Sequence, residues 1–175
     1  LVLRGIHGGW VIHFIKVGPG VRTSSLRLEK MVLEFHLDLA LTVGFAGGLI
    51  PELKVGDLVL SYFRGHFDSA AKEFQNQVGA HIFNLAQKSS LRCVVGKTAS
   101  SEAFLATPAQ KKDFRKLNPD SIAVDMENEK LGKLFLKHQI PALSLRAISD
   151  SFKQNFDWKK FNELNRLRLH KKRFF

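Results

Sequence analysis

The sequence predicts an α/β fold in which helices cover both faces of a mainly parallel, mixed central sheet. Short apolar segments rich in β-branched residues alternate along the chain with longer amphipathic segments. Glycine, proline and polar clusters separate these segments, and no internal repeat or low-complexity linker interrupts the alternation. With 175 residues, the chain is long enough for one domain with a real core. We therefore expect a single domain over residues 1–175 with three α/β/α layers.

Six segments are predicted strands because they are short, mostly apolar and bounded by turn residues. The predicted strands cover residues 10–17, 39–43, 57–62, 91–97, 122–125 and 142–148. The polar stretches 63–69 and 98–107 are predicted to be loops.

Five amphipathic segments are predicted helices because their apolar residues recur at helical spacing. In the first, Leu28, Val32 and Phe35 fall on one face. Thr107 is a suitable cap for the third helix, since a proline follows it at the first helical position. The predicted helices cover residues 23–36, 70–87, 108–118, 127–138 and 157–170.

The composition excludes several classes of protein. A hydrophobic fraction of 45% argues against wholesale disorder. No apolar run is long enough to span a bilayer, and the first residues lack the charged leader of a signal peptide, so we expect no membrane partner. Cys93 is the only cysteine, lies in a predicted strand and is expected to be a small buried apolar side chain. We expect a cytoplasmic protein, and the first residue, a leucine, fits a fragment or a processed chain.

The net charge of +11 raises the question of nucleic-acid binding. Residues 153–175 carry eight lysines and arginines against Asp157 and Glu163, so the tail alone supplies +6 of that charge. Basic residues elsewhere are scattered, and a basic helical tail is typical of a solvated surface. We therefore expect residues 151–175 to form a basic C-terminal helix and do not expect nucleic acid to be the partner.

Acidic residues follow the predicted fifth strand. The apolar run from Ile122 to Val124 leads into Asp125 and Glu127, and a helical pattern begins directly afterwards. The carboxyl ends of parallel strands are where open α/β sheets bind ligands, and a carboxylate there can accept hydrogen bonds from a vicinal diol. The alternative is that both carboxylates only favour the first turn of the next helix.

Three other segments could contact a ligand. Asp150 and its neighbouring serines follow the sixth strand, again at a carboxyl end. The glycine-rich segment Gly44-Phe-Ala-Gly-Gly48 allows a backbone to approach a ligand or another strand, although its spacing is not that of a dinucleotide fingerprint. The turn at residues 18–20, beside Arg22, either binds an anion or is an ordinary strand-to-helix turn. No set of His, Cys and carboxylate residues has metal-ligand spacing, so we expect no metal.

Four motifs together resemble a known family. They are Val43-Gly-Phe-Ala-Gly-Gly-Leu49, Lys54-Val-Gly-Asp-Leu-Val59, Ala123-Val-Asp-Met-Glu127 and Arg146-Ala-Ile-Ser-Asp150. In this order and at these distances they are similar to the nucleoside phosphorylase family of the first structural type. Within it, the likeness is greatest to the methylthioadenosine/S-adenosylhomocysteine nucleosidases and the hopanoid-associated phosphorylase-like proteins. The resemblance covers residues 10–150 and implies a nucleoside phosphorylase-like fold.

The resemblance implies roles for residues at two strand ends. Glu127 is expected to bind the ribose hydroxyls, with Met126 packed on the sugar. Asp150, supported by Ser149, is expected to hydrogen-bond the purine and to donate a proton as the base leaves.

The resemblance also implies roles for residues around these two ends. Phe104 is expected to stack near the base, the backbone of Leu105 to bind the base edge, and Arg146 to lie behind the acidic pair. The floor of the site near the nucleophile is expected to be formed by Gly44, Phe45, Ala46, Gly47 and Gly48.

The sequence departs from the family pattern in two places. The family's first strand, with the acid that activates water or the ligands of phosphate, is not found here, and Phe45 replaces a serine that holds the nucleophile.

The expected activity is hydrolysis of a purine nucleoside, with a phosphate-dependent phosphorylase or a catalytically impaired nucleoside-binding protein as alternatives. No cofactor is expected beyond phosphate as a co-substrate in the second case. Because relatives assemble, we expect a homo-oligomer.

Overall fold

The computed structural model describes residues 2–17 and 25–157 and shows the predicted α/β architecture. Its elements, in chain order, are β1 Val2–His7, β2 Trp10–Ile15, α1 Ser25–Phe35, β3 Ala40–Gly48, β4 Leu58–Phe63, α2 Ser69–Lys88, β5 Cys93–Val95, β6 Lys97–Ser100, α3 Pro108–Leu117, β7 Ser121–Asp125, α4 Asn128–Lys137 and β8 Ala142–Asp150. The predicted turn at 18–20, Arg22 and nearly all of the predicted helix 157–170 lie outside the described residues.

The central sheet is mixed, as predicted. Its strand order is β5-β4-β8-β3-β7-β6. The pairs β3/β8, β4/β5 and β6/β7 are parallel, whereas β4/β8 and β3/β7 are antiparallel. The long parallel pair β3/β8 therefore forms the centre of the sheet, and the shorter strands extend it on both sides.

The sheet curves until its two outer strands approach each other. Strands β5 and β6 stand at opposite ends of the strand order, yet only Gly96 separates them in the chain. The Gly96 amide donates a hydrogen bond to the Leu60 carbonyl oxygen at 3.0 Å. The hydroxyls of Ser61 in β4 and Thr98 in β6 lie 3.0 Å apart. These contacts enclose one face of the sheet and give it an interior.

The prediction of one strand over residues 91–97 and a loop from Thr98 was wrong. The segment forms two strands, and Thr98 to Ser100 pair with β7. A glycine at position 96 makes this change of pairing partner possible. The Ile122 side chain occupies the space that a Cβ of residue 96 would need. A glycine can therefore let the chain leave β4 and join β7 within one residue.

An N-terminal hairpin precedes the sheet, and its first strand was not predicted. β1 and β2 pair antiparallel, and the His7↔Trp10 pair closes the loop formed by Gly8 and Gly9. Both glycines have positive φ angles, 55° and 82°, which a two-residue hairpin turn requires. The Trp10 ring stacks on Phe74 of α2 with a centroid distance of 5.3 Å, which connects the hairpin to the main domain.

Helices cover both faces of the sheet, which confirms the layered prediction. Leu28 of α1 and Leu131 of α4 pack with Ala142, whereas Ala86 at the end of α2 packs with Leu143. Ala142 and Leu143 are consecutive in β8 and so point to opposite faces. Cys93 belongs to the cluster under α2, and burial raises the pKa of its thiol, in keeping with the expected apolar role.

Most predicted helices agree with the structure to within one or two residues. The third helix begins with the expected Thr107 cap, in which Thr107 and Gln110 form a reciprocal capping box. The two central strands are longer than predicted because the glycine-rich segment stays in the ladder: Gly44 pairs with Arg146 and Gly47 with Asp150. That segment is therefore a strand.

None of the helices in the described parts of the chain is both long enough and apolar enough to cross a membrane.

Candidate functional site

The tips of three strands meet around Gly47. The register of β3 and β8 shifts after the pair Ala46↔Ile148, so that Gly47 faces Asp150 with Ser149 as the extra residue. On its other side Gly47 pairs with Val124 of β7. The ends of β7 and β8 therefore flank the glycine strand, which brings three of the predicted site segments together.

Asp150 is buried at the end of β8, with 4% of its surface exposed. The Ser149 hydroxyl lies 2.6 Å from Asp150 Oδ1 and 3.2 Å from the Ala46 carbonyl oxygen. The shorter contact gives Asp150 the serine support that the resemblance implied. A Cβ at Gly47 would lie 3.1 Å from Asp150 Oδ2, so the glycine is what allows the carboxylate to approach β3.

A lysine that the sequence analysis did not single out contacts the same carboxylate. Lys111 of α3 is completely buried and forms an ion pair with Asp150 Oδ2. The neighbouring Lys112 is exposed, so the pair of lysines resembles an ordinary solvated helix face. The sequence does indicate burial of Lys111 through its spacing. It lies three residues before Phe114 and therefore on the same, inward-facing side of the helix.

Asp125, at the end of β7, serves the start of α4. Its Oδ1 accepts the Ser100 hydroxyl at 2.7 Å and the Asn128 amide at 3.0 Å. It also accepts the Glu127 amide at 3.3 Å. The structure therefore supports, for Asp125, the alternative in which the carboxylate stabilises the first turn of the following helix.

Arg146 holds this carboxylate from behind. Its Nε lies 2.9 Å from Asp125 Oδ2, and both side chains are almost completely buried. Its Nη1 donates to Thr42 Oγ1 at 3.1 Å and its Nη2 to Asn128 Oδ1 at 3.3 Å. The guanidinium thus joins β3, β7, β8 and α4. Of the two carboxylates Asp125 and Glu127, Asp125 is the one that forms the ion pair with Arg146.

Glu127 and Met126 form the turn between β7 and α4. Glu127 occupies the N-cap position of α4, and both side chains are partly buried. Because Asp125 supplies its carboxylate to the helix amides, Glu127 is not needed for that purpose. The sugar-binding role of Glu127 and Met126 stays a prediction. The turn that carries them is held in place by the buried Arg146–Asp125 ion pair.

Phe104 lies beside the segment that follows Asp150. Its ring meets the ring of Phe156 edge to face, with centroids 4.7 Å apart. The Phe156 amide donates to the Ala106 carbonyl oxygen at 2.8 Å. Phe104 and Leu105 are both partly buried. The predicted base-stacking segment is therefore attached to the chain that leaves the β8 tip.

The predicted floor residues divide between the two faces of β3. The backbone of Gly44 approaches Arg146, and a Cβ there would lie 3.6 Å from its Nε. Ala46 is buried, whereas Phe45 points to the opposite face and is 73% exposed. Phe45 thus lies on the face away from the Arg146 side chain.

A shallow cavity of about 220 Å³ lies elsewhere and contains none of the predicted site residues. Its lining residues are Tyr62, Arg64, Gly65, Phe67, Lys72, Gln75, Asn76 and Val95. Within residues 2–17 and 25–157, no group of three or more His, Cys, Asp or Glu side chains is arranged to hold a metal ion.

A family model described as the phosphorylase superfamily matches residues 1–171. The 5′-methylthioadenosine/S-adenosylhomocysteine nucleosidase of Staphylococcus saprophyticus is 28% identical over 149 residues, which are 76% of this chain and 65% of that protein. The enzyme of the same name from Buchnera aphidicola is 27% identical over 170 residues, 83% of this chain and 73% of that protein. The chain thus spans about two thirds of the first relative.

Two solved structures show the shared fold. The Helicobacter pylori 5′-methylthioadenosine/S-adenosylhomocysteine nucleosidase with butyl-thio-DADMe-Immucillin-A has a TM-score of 0.74 and 22% identity, covering 93% of this chain and 76% of that one. A futalosine hydrolase mutant from the same species has a TM-score of 0.70 and 20% identity, covering 97% and 82%. At this level of identity the likeness concerns the fold alone.

The Arg146–Asp125 pair yields a stability prediction. Arg146→Met leaves a buried carboxylate without its counter-ion, so we expect the free energy of unfolding to fall by about 3–5 kcal/mol. Urea denaturation followed by circular dichroism measures this change. The matched control is Lys133→Met, which breaks the exposed Lys133–Glu129 pair and is expected to change stability by at most about 0.5 kcal/mol. Equal effects of the two substitutions would show that the buried pair does not stabilise the fold.

Proposed function

Because the chain belongs to the phosphorylase superfamily, we propose that it cleaves the N-glycosidic bond of a purine nucleoside with water as the acceptor. The proposed substrates are 5′-substituted adenosines, the class named in the curated relatives it resembles. The observation that carries the proposal is the buried Asp150 carboxylate, which accepts a hydrogen bond from Ser149 at the end of β8. The chain that follows Asp150 contacts Phe104 through Phe156.

The first chemical requirement is a good leaving group. A purine anion is a poor leaving group, and protonation of the ring nitrogen as the bond breaks makes departure easier. We assign proton donation to Asp150, because its carboxyl group is withdrawn from bulk water and fixed in direction by Ser149. In this reaction the proton passes from Asp150 to the base while the electron pair of the C1′–N9 bond moves to the base. A water oxygen then bonds to C1′, and the proton that this water loses returns Asp150 to its acid form through solvent.

The second requirement is stabilisation of the sugar, which develops positive charge at C1′. A carboxylate close to that charge stabilises the transition state. We assign this role to Glu127, which we propose also accepts hydrogen bonds from the ribose hydroxyls, with Met126 against the sugar ring. The support is its place on the turn after β7, next to a strand that shares Gly47 with β8.

The proposal is tested by base release from a nucleoside panel. We expect adenine to be released from methylthioadenosine at a rate well above background and without added phosphate. Release only when phosphate is present would identify a phosphorylase. No release under either condition would overturn the proposed activity and favour the binding protein. High-performance liquid chromatography of adenine and of the sugar product separates these outcomes.

We expect Asp150→Asn to reduce kcat by about 10²–10⁴-fold and to change KM much less, because proton donation acts in the transition state. Steady-state kinetics with methylthioadenosine measures both constants. Asp120→Asn is the matched control, since Asp120 is exposed in the turn before β7. An unchanged kcat in Asp150→Asn would remove Asp150 from the role of acid.

We expect Glu127→Gln to weaken binding of ribosides by roughly tenfold, since it loses a charge-assisted hydrogen bond, and to leave binding of free adenine nearly unchanged. Isothermal titration calorimetry with adenine and with a non-cleavable riboside measures the difference. Glu129→Gln, on the exposed first turn of α4, is the control. If both ligands lose the same affinity, Glu127 does not contact the sugar.

A further inference from the structure

A completely buried lysine occupies the middle of α3. Lys111 has no exposed surface, whereas its neighbour Lys112 is exposed. Removing an ammonium group from water costs several kcal/mol, so a buried lysine needs paired oxygens in return. The partners of Lys111 come from the last residue of β8 and from the chain that follows it.

Three oxygens from one short segment surround the Lys111 ammonium. Its Nζ donates to the carbonyl oxygens of Ser151 at 2.7 Å and Gln154 at 3.3 Å. It also forms an ion pair with Asp150 Oδ2. An ammonium has three N–H groups, and two of them donate to these carbonyl oxygens. The contact with Asp150 pairs the two charges.

Few other groups face this pair. Gly47 of β3 and Ser149 of β8 face Asp150, and neither is charged. Of the next two cations along α3, Lys112 is exposed, and the Arg115 guanidinium donates to the Leu49 carbonyl oxygen at 3.4 Å. Among residues 2–17 and 25–157, Lys111 is the charged side chain that forms an ion pair with Asp150.

We propose that Lys111 is a positioning residue for Asp150, a proposal that rests on the function proposed above. The ammonium fixes the carboxyl group by its Oδ2 atom while Oδ1 accepts the Ser149 hydroxyl, so the group is held in one orientation. When the proton of Asp150 passes to the purine and the electron pair of the C1′–N9 bond moves to the base, Asp150 becomes a carboxylate again. Lys111 then stabilises the negative charge that Asp150 regains.

This role has a signature that a purely structural ion pair lacks. An adjacent ammonium stabilises the negative charge that Asp150 regains as the proton leaves. Removing it therefore lowers kcat and changes KM much less, because the charge develops in the transition state. A lysine that only stabilises the fold would not lower kcat selectively in the folded variant.

The experiment compares four variants of the whole chain. Lys111→Met removes the charge, and Lys111→Gln also removes it but retains donors for the two carbonyl oxygens. Lys111→Arg keeps the charge, and Lys112→Met is the exposed neighbour used as the control. For each, kcat and KM are measured with methylthioadenosine under the same conditions. If Lys111→Met does not fold, Lys111→Gln supplies the measurement for an uncharged side chain.

We expect Lys111→Met or Lys111→Gln to lower kcat by about 10–100-fold with little change in KM. Lys111→Arg is expected to restore part of kcat because it keeps the positive charge. Lys112→Met is expected to match the unmodified chain. An unchanged kcat in the folded uncharged variants, or an equal loss of kcat in Lys111→Arg, overturns the proposal.

A second readout does not depend on turnover. A double-mutant cycle of Lys111→Gln and Asp150→Asn, followed by urea denaturation, measures whether the two side chains interact. Non-additive changes in the free energy of unfolding support the proposal, and additive changes overturn it. If the unmodified chain releases no base, the proposed function fails, and the cycle still decides whether Lys111 holds Asp150.

Discussion

The ion pair between Arg146 and Asp125 is the interaction on which the rest of this site depends. A guanidinium buried inside a curved sheet is tolerated only when its hydrogen-bonding groups find partners. Here the partners come from β3, β7 and α4, so three elements take their positions from one side chain of β8. Ser100 extends the network to β6, because its hydroxyl donates to Asp125 and accepts the Glu129 amide. The turn that carries Glu127 is thereby fixed in space.

A second buried pair repeats this logic a few residues further along β8. Asp150 and Lys111 connect the sheet to α3, and the Lys111 ammonium also holds the chain that follows the strand. That following chain in turn holds Phe104 through Phe156. The two buried cations therefore organise opposite sides of the same region: Arg146 supports the β7 turn, and Lys111 supports the β8 tip. Sheet geometry around Gly47 brings the two sides together.

Much of the fold could be predicted because hydrophobic periodicity and turn residues are local signals. The alternation of strands and helices, the Thr107 cap and the burial of Cys93 all follow from neighbouring residues. The hairpin at Gly8 and Gly9 was also within reach, since two glycines between apolar segments are typical of a tight turn. The strand before it gives only a weak signal, because nearly all of its six residues are exposed and no burial pattern marks it.

What could not be predicted depends on contacts between distant parts of the chain. The change of partner at Gly96 is decided by the Ile122 side chain, 26 positions later, as the numbering shows. Burial of Lys111 depends on carbonyl oxygens 40 and 43 positions away. The family motifs indicated Asp150 and Glu127, but motifs name residues and do not reveal which cation neutralises them. Charge pairing in the interior is settled by the tertiary structure.

The curvature that joins β5 and β6 through Gly96 also constrains how this chain reaches its native state. The two outer strands are joined through a single residue, so the sheet closes only when both of its ends come together. The central pair β3/β8 likewise joins distant segments, such as Thr42 and Leu143, whose contact spans 101 positions. Proteins dominated by such non-local pairings fold more slowly than proteins with local contacts, and we expect the same of this chain.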